Sequence, residues 1–282
     1  MNWIKGLTGT MTALLLSIFL SIPFAYGESQ WQKPYREVLA QHVKEGKVDY
    51  TSLQANPRQL EEYLTQLSHM DMRLYEKMTD RERLALWINA YNAITLKVII
   101  DHYPIQSRGL FGFIAPKNSI RQIPGVWDKI KYQVIGEELT LNDIEHKILR
   151  KKFIEPRIHV ALVCASNGCP ELRGEPYEGE KLDEQLSDQM RTFLSQPQNF
   201  KRDLNEGKVY LSSIFKWFRS DFQLPYDQSI PIVARISDEE KNVILFLLPY
   251  VDFETAGYLK KGEYKIEYLD YDWSLNDQKV SA

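Results

Sequence analysis

The longest regular pattern of apolar positions runs through residues 79–103 and ends before Pro104. Its positions at helical spacing are Leu84, Trp87, Ile88, Tyr91, Ile94, Thr95, Val98 and Ile99. The other sides of this helix are also apolar, through Leu86, Ala90, Leu96 and Ile100. Because little of such a helix can face water, the pattern predicts a central buried helix surrounded by other elements.

Shorter patterns predict further elements on both sides of this helix. Amphipathic or capped stretches predict helices over residues 31–45, 57–70, 142–150, 180–194, 212–222 and 237–250. Alternating or β-branched stretches predict strands over residues 48–50, 157–164 and 264–268, with hairpins over 131–141 and 199–211. Helices and strands mingle without a regular βαβ alternation. We therefore expect an α+β fold, with the central helix packed against a mixed or antiparallel sheet and peripheral helices around it.

The N-terminus resembles a secretory signal peptide over residues 1–27. Lys5 precedes an apolar run, and the small residues Ala25 and Gly27 stand where a signal peptidase cuts. We expect the mature chain, residues 28–282, to form a single soluble domain that is exported to the periplasm or the extracellular medium. The net charge of −3 gives no basic field for nucleic acid, and no stable membrane insertion is expected after cleavage.

Export changes the interpretation of the segment 157–170, which holds both cysteines, Cys164 and Cys169, and also His159. Disulfides persist in oxidising compartments, so a Cys164–Cys169 bridge is the default expectation. The Asn167-Gly168 pair favours a turn that brings the two sulfurs together.

Nucleophilic catalysis is an alternative that a disulfide would exclude. A thiolate needs a nearby base, and the base needs an orienting group. The candidate catalytic residues are Cys164 or Cys169 as nucleophile, His146 or His159 as base, and Asp143 or Glu145 as the orienting carboxylate. Asp143 and His146 share a helix face, whereas His159 and Cys164 would point to opposite faces of a strand.

Three further polar residues are candidates for ligand binding. Arg157 could hold a carboxylate or a substrate anion. Asn89 and Asn92, three apart on the central helix, either face a pocket or brace neighbouring loops, and bracing is the commoner role for buried asparagine. Aromatic residues of 212–222 and of the last strand could line a groove, although core packing more often explains such a stripe.

No metal or cofactor is predicted. The cysteines and histidines suit zinc by residue type, but their spacings match no familiar zinc motif. The sequence also lacks the P-loop, Rossmann, nucleophile-elbow and zincin motifs.

Five ordered segments resemble the domain of unknown function 547 (DUF547) family, at residues 86–93, 139–150, 157–170, 213–218 and 271–276. The resemblance implies that eight residues occupy family motif positions: Asn89, Asn92, Glu145, His146, Arg157, His159, Cys164 and Cys169. It implies no substrate, because the family is named for its missing function. We expect a domain that binds an unknown small molecule or protein around a Cys/His centre stapled by the disulfide. The alternative is a thiol-dependent acyl hydrolase or transferase.

Overall fold

The computed structural model describes residues 30–106, 116, 118–223 and 236–280, so the predicted signal peptide at 1–27 lies outside the described residues. The first part of the described chain holds short helices and one small hairpin: α1 (Lys33–His42), β1 (Val43–Lys44), β2 (Lys47–Val48), α2 (Tyr50–Ala55), α3 (Arg58–Ser68) and α4 (Met72–Lys77). The helices predicted over residues 31–45 and 57–70 are confirmed by α1 and α3. The strand predicted over 48–50 ends earlier, because Tyr50 already begins α2.

The central helix is α5 (Asp80–His102), as the apolar pattern predicted. It begins at a capping box in which the Thr79 hydroxyl accepts the Glu82 N–H at 3.2 Å and the Glu82 carboxylate accepts the Thr79 N–H at 2.7 Å. Every residue from 84 to 96 is buried. Among the described residues, α5 is the one helix long and apolar enough to cross a membrane, but 89% of its most apolar window is buried inside the protein. It is therefore the core helix of this fold.

The described chain after α5 contains the following elements: a 3-10 helix (Ile120–Gln122), β3 (Tyr132–Val134), β4 (Glu137–Leu139), a π-helix (Asp143–Leu149), α6 (Arg150–Lys152), a 3-10 helix (Pro156–Val160), α7 (Leu182–Ser195), β5 (Phe200–Asp203), β6 (Lys208–Ser212), α8 (Ser213–Trp217), a 3-10 helix (Arg219–Phe222), α9 (Asp238–Leu247), a 3-10 helix (Leu248–Tyr250), α10 (Phe253–Lys261), β7 (Lys265–Leu269) and a 3-10 helix (Gln278–Val280).

The strands form small sheets. β3 and β4 make an antiparallel hairpin, and β5 pairs antiparallel with β6, which in turn pairs parallel with β7. Both predicted hairpins and the predicted last strand are confirmed. Together with the buried helix, these mixed and antiparallel sheets confirm the α+β prediction.

The strand predicted over residues 157–164 is wrong. This stretch forms the 3-10 helix Pro156–Val160 and then an irregular segment. Pro156 occupies the first helical turn, where its fixed φ is favourable, and the Glu155 carboxylate accepts the Arg157 N–H at 3.1 Å. A short run of β-branched and apolar residues does not distinguish a strand from another fully buried segment. Here the apolar residues reflect burial and not a strand.

Two clusters of buried apolar side chains make the core. The larger surrounds α5, and the smaller lies between α7, α8, α9 and the β5–β6–β7 sheet. Tyr271, just after β7, packs against both clusters. The segment that follows β7 therefore lies at the junction of the two clusters.

The segment after β7 also ties distant parts of the chain together. The Gly168 N–H donates to the Asp272 carbonyl at 2.8 Å, and the Asn276 N–H donates to the Ala165 carbonyl at 3.2 Å. On its other side, the Val48 N–H donates to the Asn276 carbonyl at 2.9 Å. The final residues thus connect the cysteine loop to the N-terminal hairpin.

Candidate functional site

A cavity of about 250 Å³ lies at the junction of the two core clusters. We call it the aromatic cavity, because six aromatic residues contribute to its wall: Tyr91, Trp127, Trp217, Phe218, Tyr271 and Trp273. Trp217 is 47% exposed and its ring stacks on that of Trp273, with centroids 6.0 Å apart. An exposed tryptophan at a cavity mouth offers an apolar surface together with a hydrogen-bond donor.

Five of the predicted catalytic residues line this cavity: Glu145, His146, His159, Cys164 and Cys169. They come from two stretches that are separate in sequence, the π-helix Asp143–Leu149 and the segment from Pro156 to the cysteine loop. The fold brings these stretches together because both pack against α5.

Asp143, the sixth predicted catalytic residue, is not among the residues that line the cavity. Its carboxylate accepts hydrogen bonds from the Thr140 N–H and hydroxyl, at 3.0 and 2.8 Å, and pairs with Lys147 at 2.6 Å. The Lys147 ammonium and the Thr140 donors lower the pKa of Asp143 to about 2. This carboxylate thus forms a capping box with Thr140, whose hydroxyl accepts the Asp143 N–H at 3.1 Å.

Asn89 and Asn92 brace loops instead of facing the cavity. Asn89 donates to the Tyr177 carbonyl at 2.8 Å and accepts the Tyr177 N–H at 2.9 Å. Asn92 donates to the Ala161 carbonyl and accepts the Val163 N–H, both at 2.9 Å. The Asn92 side chain therefore satisfies backbone groups of the segment before Cys164. In a strand, those groups would have bonded to a neighbouring strand.

Arg157 also lies away from the cavity lining. Its guanidinium donates to Glu155 and Asp183, each at 2.8 Å, and to the Ser187 hydroxyl at 2.8 Å. These contacts join the 3-10 helix Pro156–Val160 to α7. A ligand anion would have to compete with two carboxylates for this side chain.

The two cysteines form a disulfide, with their Cα atoms 6.2 Å apart. The Tyr271 hydroxyl lies 3.0 Å from each sulfur, and the Cys164 N–H donates to Cys169 Sγ at 2.9 Å. A side chain at Gly168 could not be accommodated, because its Cβ would lie 2.9 Å from the Asp272 nitrogen and 3.0 Å from the Tyr271 ring. Glycine therefore allows the Tyr271 segment to lie directly on the cysteine loop.

Asp221 is a site residue that the sequence did not predict. Its carboxylate accepts two hydrogen bonds from Arg150, at 2.5 and 2.7 Å, and one from His159 Nε2 at 2.8 Å. Burial raises the pKa of Asp221, but the hydrogen bonds from Arg150 and His159 outweigh it and hold the pKa well below its usual range. Asp221 is therefore an anion that orients the imidazole of His159.

The same contacts assign the tautomers of the two histidines. The carboxylate of Asp221 can only accept, so His159 carries its proton on Nε2. Arg150 can only donate, and its contact with His146 Nδ1 at 3.0 Å makes that nitrogen an acceptor. Burial lowers the pKa of both histidines and outweighs the opposing effect of Asp221, which is strongest on His159 through its hydrogen bond. The positive charge of Arg150 also lowers both pKa values, so both histidines are neutral near pH 7.

Glu145 is the acidic group of the cavity lining. Burial raises the pKa of Glu145 to about 7, although Arg150 and a hydrogen bond from Tyr91 oppose the shift. The Tyr91 hydroxyl donates to Glu145 Oε2 at 3.3 Å. Near neutral pH this carboxyl exists in both protonation states, so it can either donate or accept a hydrogen bond inside the cavity.

The described part of the chain contains no group of three or more His, Cys, Asp or Glu residues placed to hold a metal ion. The aromatic cavity presents a disulfide, two neutral imidazoles, a carboxyl near its titration midpoint and apolar walls.

Comparison with known proteins supports the resemblance seen in the motifs. No curated protein and no solved structure matches this chain. A protein-family model does match part of the chain. The matched range includes both cysteines and both cavity histidines and ends before Trp217, Asp221 and Tyr271. Residues 75–194 of the chain match the family described as "Protein of unknown function, DUF547", which confirms the family recognition over that stretch.

Proposed function

We propose that this chain is an exported binding domain whose small-molecule ligand occupies the aromatic cavity. The observation that carries the proposal is the convergence, in one space of about 250 Å³, of six aromatic residues with Glu145, His146 and His159. Apolar walls with a few convergent polar groups are the usual composition of a ligand site. The shifted pKa values of these three polar groups point to the same place.

The lining favours a ligand with an apolar ring and one polar end. Trp217 and Trp273 offer ring surface, and Glu145, which is less exposed than Trp217, is a hydrogen-bond partner next to Tyr91. Phenols combine an apolar ring with a single hydroxyl, so p-cresol is a suitable probe of this composition.

Replacing Trp217 with alanine is expected to weaken p-cresol binding about tenfold, because an aromatic contact contributes roughly 1–1.5 kcal/mol. Saturation-transfer NMR and calorimetry measure the affinity. Phe253→Ala is the matched control, since Phe253 is 95% exposed and is not among the residues that line the cavity. Equal weakening by both substitutions, or no p-cresol binding to the unaltered protein, contradicts the proposal.

Two further parts of the proposal concern the chain as a whole. Export is supported by the Cys164–Cys169 disulfide, since such bridges persist in oxidising compartments, and by the signal-peptide pattern of residues 1–27. A single domain over residues 28–282 is supported by the hydrogen bonds that residues 272–276 make to both the cysteine loop and the N-terminal hairpin.

A second candidate function is the thiol-dependent acyl hydrolase or transferase. It is favoured by the His159–Asp221 hydrogen bond, because His159 lines the same cavity as both cysteines. Once the bridge is reduced, Cys164 would attack the carbonyl carbon, Nδ1 of His159 would accept the thiol proton, and Asp221 would orient the ring. In this mechanism Asp221 is the orienting carboxylate, the role predicted from the sequence for Asp143 or Glu145.

Reduced protein is then expected to hydrolyse p-nitrophenyl acetate. Cys164→Ser should abolish the activity, and Asp221→Asn should lower it about a hundredfold, because His159 without its orienting carboxylate loses much of its effect as a general base. Asp188→Asn is the control, because Asp188 is a more exposed carboxylate that pairs with Arg173. Equal rates for oxidised and reduced protein remove this candidate.

A further inference from the structure

The surroundings of the two sulfurs differ in a way that neither function above requires. Cys164 is half-buried, whereas Cys169 is only 6% exposed. Both residues line the aromatic cavity, so a molecule that enters it meets the disulfide. We expect an incoming nucleophile to reach the more exposed residue, Cys164, first.

The hydrogen bonds to sulfur favour the same direction of attack. Cys169 Sγ accepts the Cys164 N–H at 2.9 Å, whereas the Tyr271 hydroxyl lies 3.0 Å from both sulfurs and the Ser166 hydroxyl lies 3.3 Å from Cys164 Sγ. The bond from the Cys164 N–H is the one that distinguishes Cys169, and it strengthens when that sulfur becomes negative, because charge-assisted hydrogen bonds are the stronger kind. A stabilised thiolate is also the better leaving group in thiol–disulfide exchange.

Tyr271 is held as a donor toward the sulfurs. The Ser166 hydroxyl donates to the Tyr271 oxygen at 3.0 Å, which leaves the tyrosine proton for a sulfur. Burial raises the pKa of Tyr271 well above its usual value, so the hydroxyl keeps this proton at any physiological pH. The backbone N–H of Cys164 adds a second donor that acts on Cys169 alone.

We propose that the Cys164–Cys169 disulfide exchanges with a small thiol that enters the aromatic cavity, with Cys164 Sγ as the sulfur attacked and Cys169 as the leaving thiolate. The inference goes beyond the binding function, because it assigns a redox activity to the bridge. It also differs from the acyl hydrolase, since the nucleophile comes from the ligand and the bond that breaks joins two sulfurs.

The exchange balances in two steps. The thiolate of the first thiol, whose proton has gone to water, bonds to Cys164 Sγ while the Cys164–Cys169 bond breaks and its electron pair passes to Cys169. A second thiolate then attacks the thiol sulfur of the mixed disulfide and releases Cys164 as a thiolate. Two thiols are oxidised to one small disulfide, and the protein gains two electrons. A small disulfide of the same class reverses both steps and restores the bridge.

Reduced glutathione is the probe for this activity. The native protein is incubated with excess glutathione and quenched with acid, the free thiols are alkylated, and the peptides are mapped by mass spectrometry. Glutathione is expected on Cys164, with Cys169 alkylated in the same molecules. Glutathione found on Cys169, or shared evenly, overturns the proposal. So does a bridge that stays intact under conditions that reduce the unfolded protein.

The donor role of Tyr271 is tested by Tyr271→Phe, which should slow reduction of the bridge about tenfold, the equivalent of one charge-assisted hydrogen bond. Tyr268→Phe is the matched control, because the Tyr268 hydroxyl donates to Glu240 and not to sulfur. An equal rate in both variants overturns the role of Tyr271. If Tyr271→Phe does not fold, the mapping on the unaltered protein still decides which sulfur is attacked. Because p-cresol has no sulfur, its binding is measured independently of the exchange. The binding proposal and the exchange proposal can therefore fail separately.

Discussion

Replacing Glu145 with glutamine is expected to stabilise the protein by about 3 kcal/mol at pH 8, while changing its stability by less than about 1 kcal/mol at pH 4.5. Burial raises the pKa of Glu145 from 4.5 to about 7 in the folded protein. A folded-state pKa above the unfolded value means that folding takes up a proton between these two pH values. The contribution to stability is therefore fully present below pH 4.5 and is lost as the pH rises through 7.

Glutamine resembles the protonated carboxyl at every pH, and it can still accept the hydrogen bond from Tyr91. The difference between the two proteins should thus grow from pH 4.5 to pH 7 and then stay constant. Urea unfolding followed by tryptophan fluorescence measures it. Glu137→Gln, at an exposed position on β4, is the control and should show no such change. A variant that is less stable than the parent at pH 8 would show that the charged carboxylate is favourable in the cavity.

Replacing Asn92 with alanine is expected to lower the free energy of unfolding by about 3 kcal/mol, because two buried backbone groups lose their partners at about 1–3 kcal/mol each. The orphaned groups are the Ala161 carbonyl and the Val163 N–H, and Asn92 itself is only 3% exposed. Both groups lie just before Cys164, so the wall of the aromatic cavity should loosen together with the core.

Urea unfolding measures this loss, and near-UV circular dichroism reports the packing around the cavity tryptophans. Asn205→Ala, at an exposed turn between β5 and β6, should stay within about 0.5 kcal/mol of the parent. A loss below 1 kcal/mol for Asn92→Ala would mean that the segment finds other hydrogen-bond partners.

The elements that could be predicted from the sequence are those whose signals are local. The capping box at Thr79 and Glu82, the one at Ser237 and Glu240, and the hairpin between β5 and β6 all follow from neighbouring residues. α10 was missed although Asp252 caps its start and Gly262 ends it with φ at +70°. Only two of its side chains are buried, so the apolar pattern that usually reveals a helix is weak there.

The site was predictable only in part, for a similar reason. The motifs supplied Glu145, His146, His159 and the cysteines, all of which line one cavity. Asp221 could not be found, because its partners Arg150 and His159 lie 71 and 62 residues away and only the tertiary fold brings them together. The strand predicted over 157–164 failed because the contacts of that segment come from Asn92 on α5. Long-range side-chain contacts of this kind leave no local pattern.

The hydrogen bonds between residues 272–276, the cysteine loop and Val48 have a consequence for biosynthesis. The contact between Val48 and Asn276 cannot form until the ribosome has made the chain up to residue 276. Helices earlier in the chain are free to form first, whereas the aromatic cavity closes only after Tyr271 and Trp273 are in place. The aromatic cavity is therefore among the last parts of this fold to be completed.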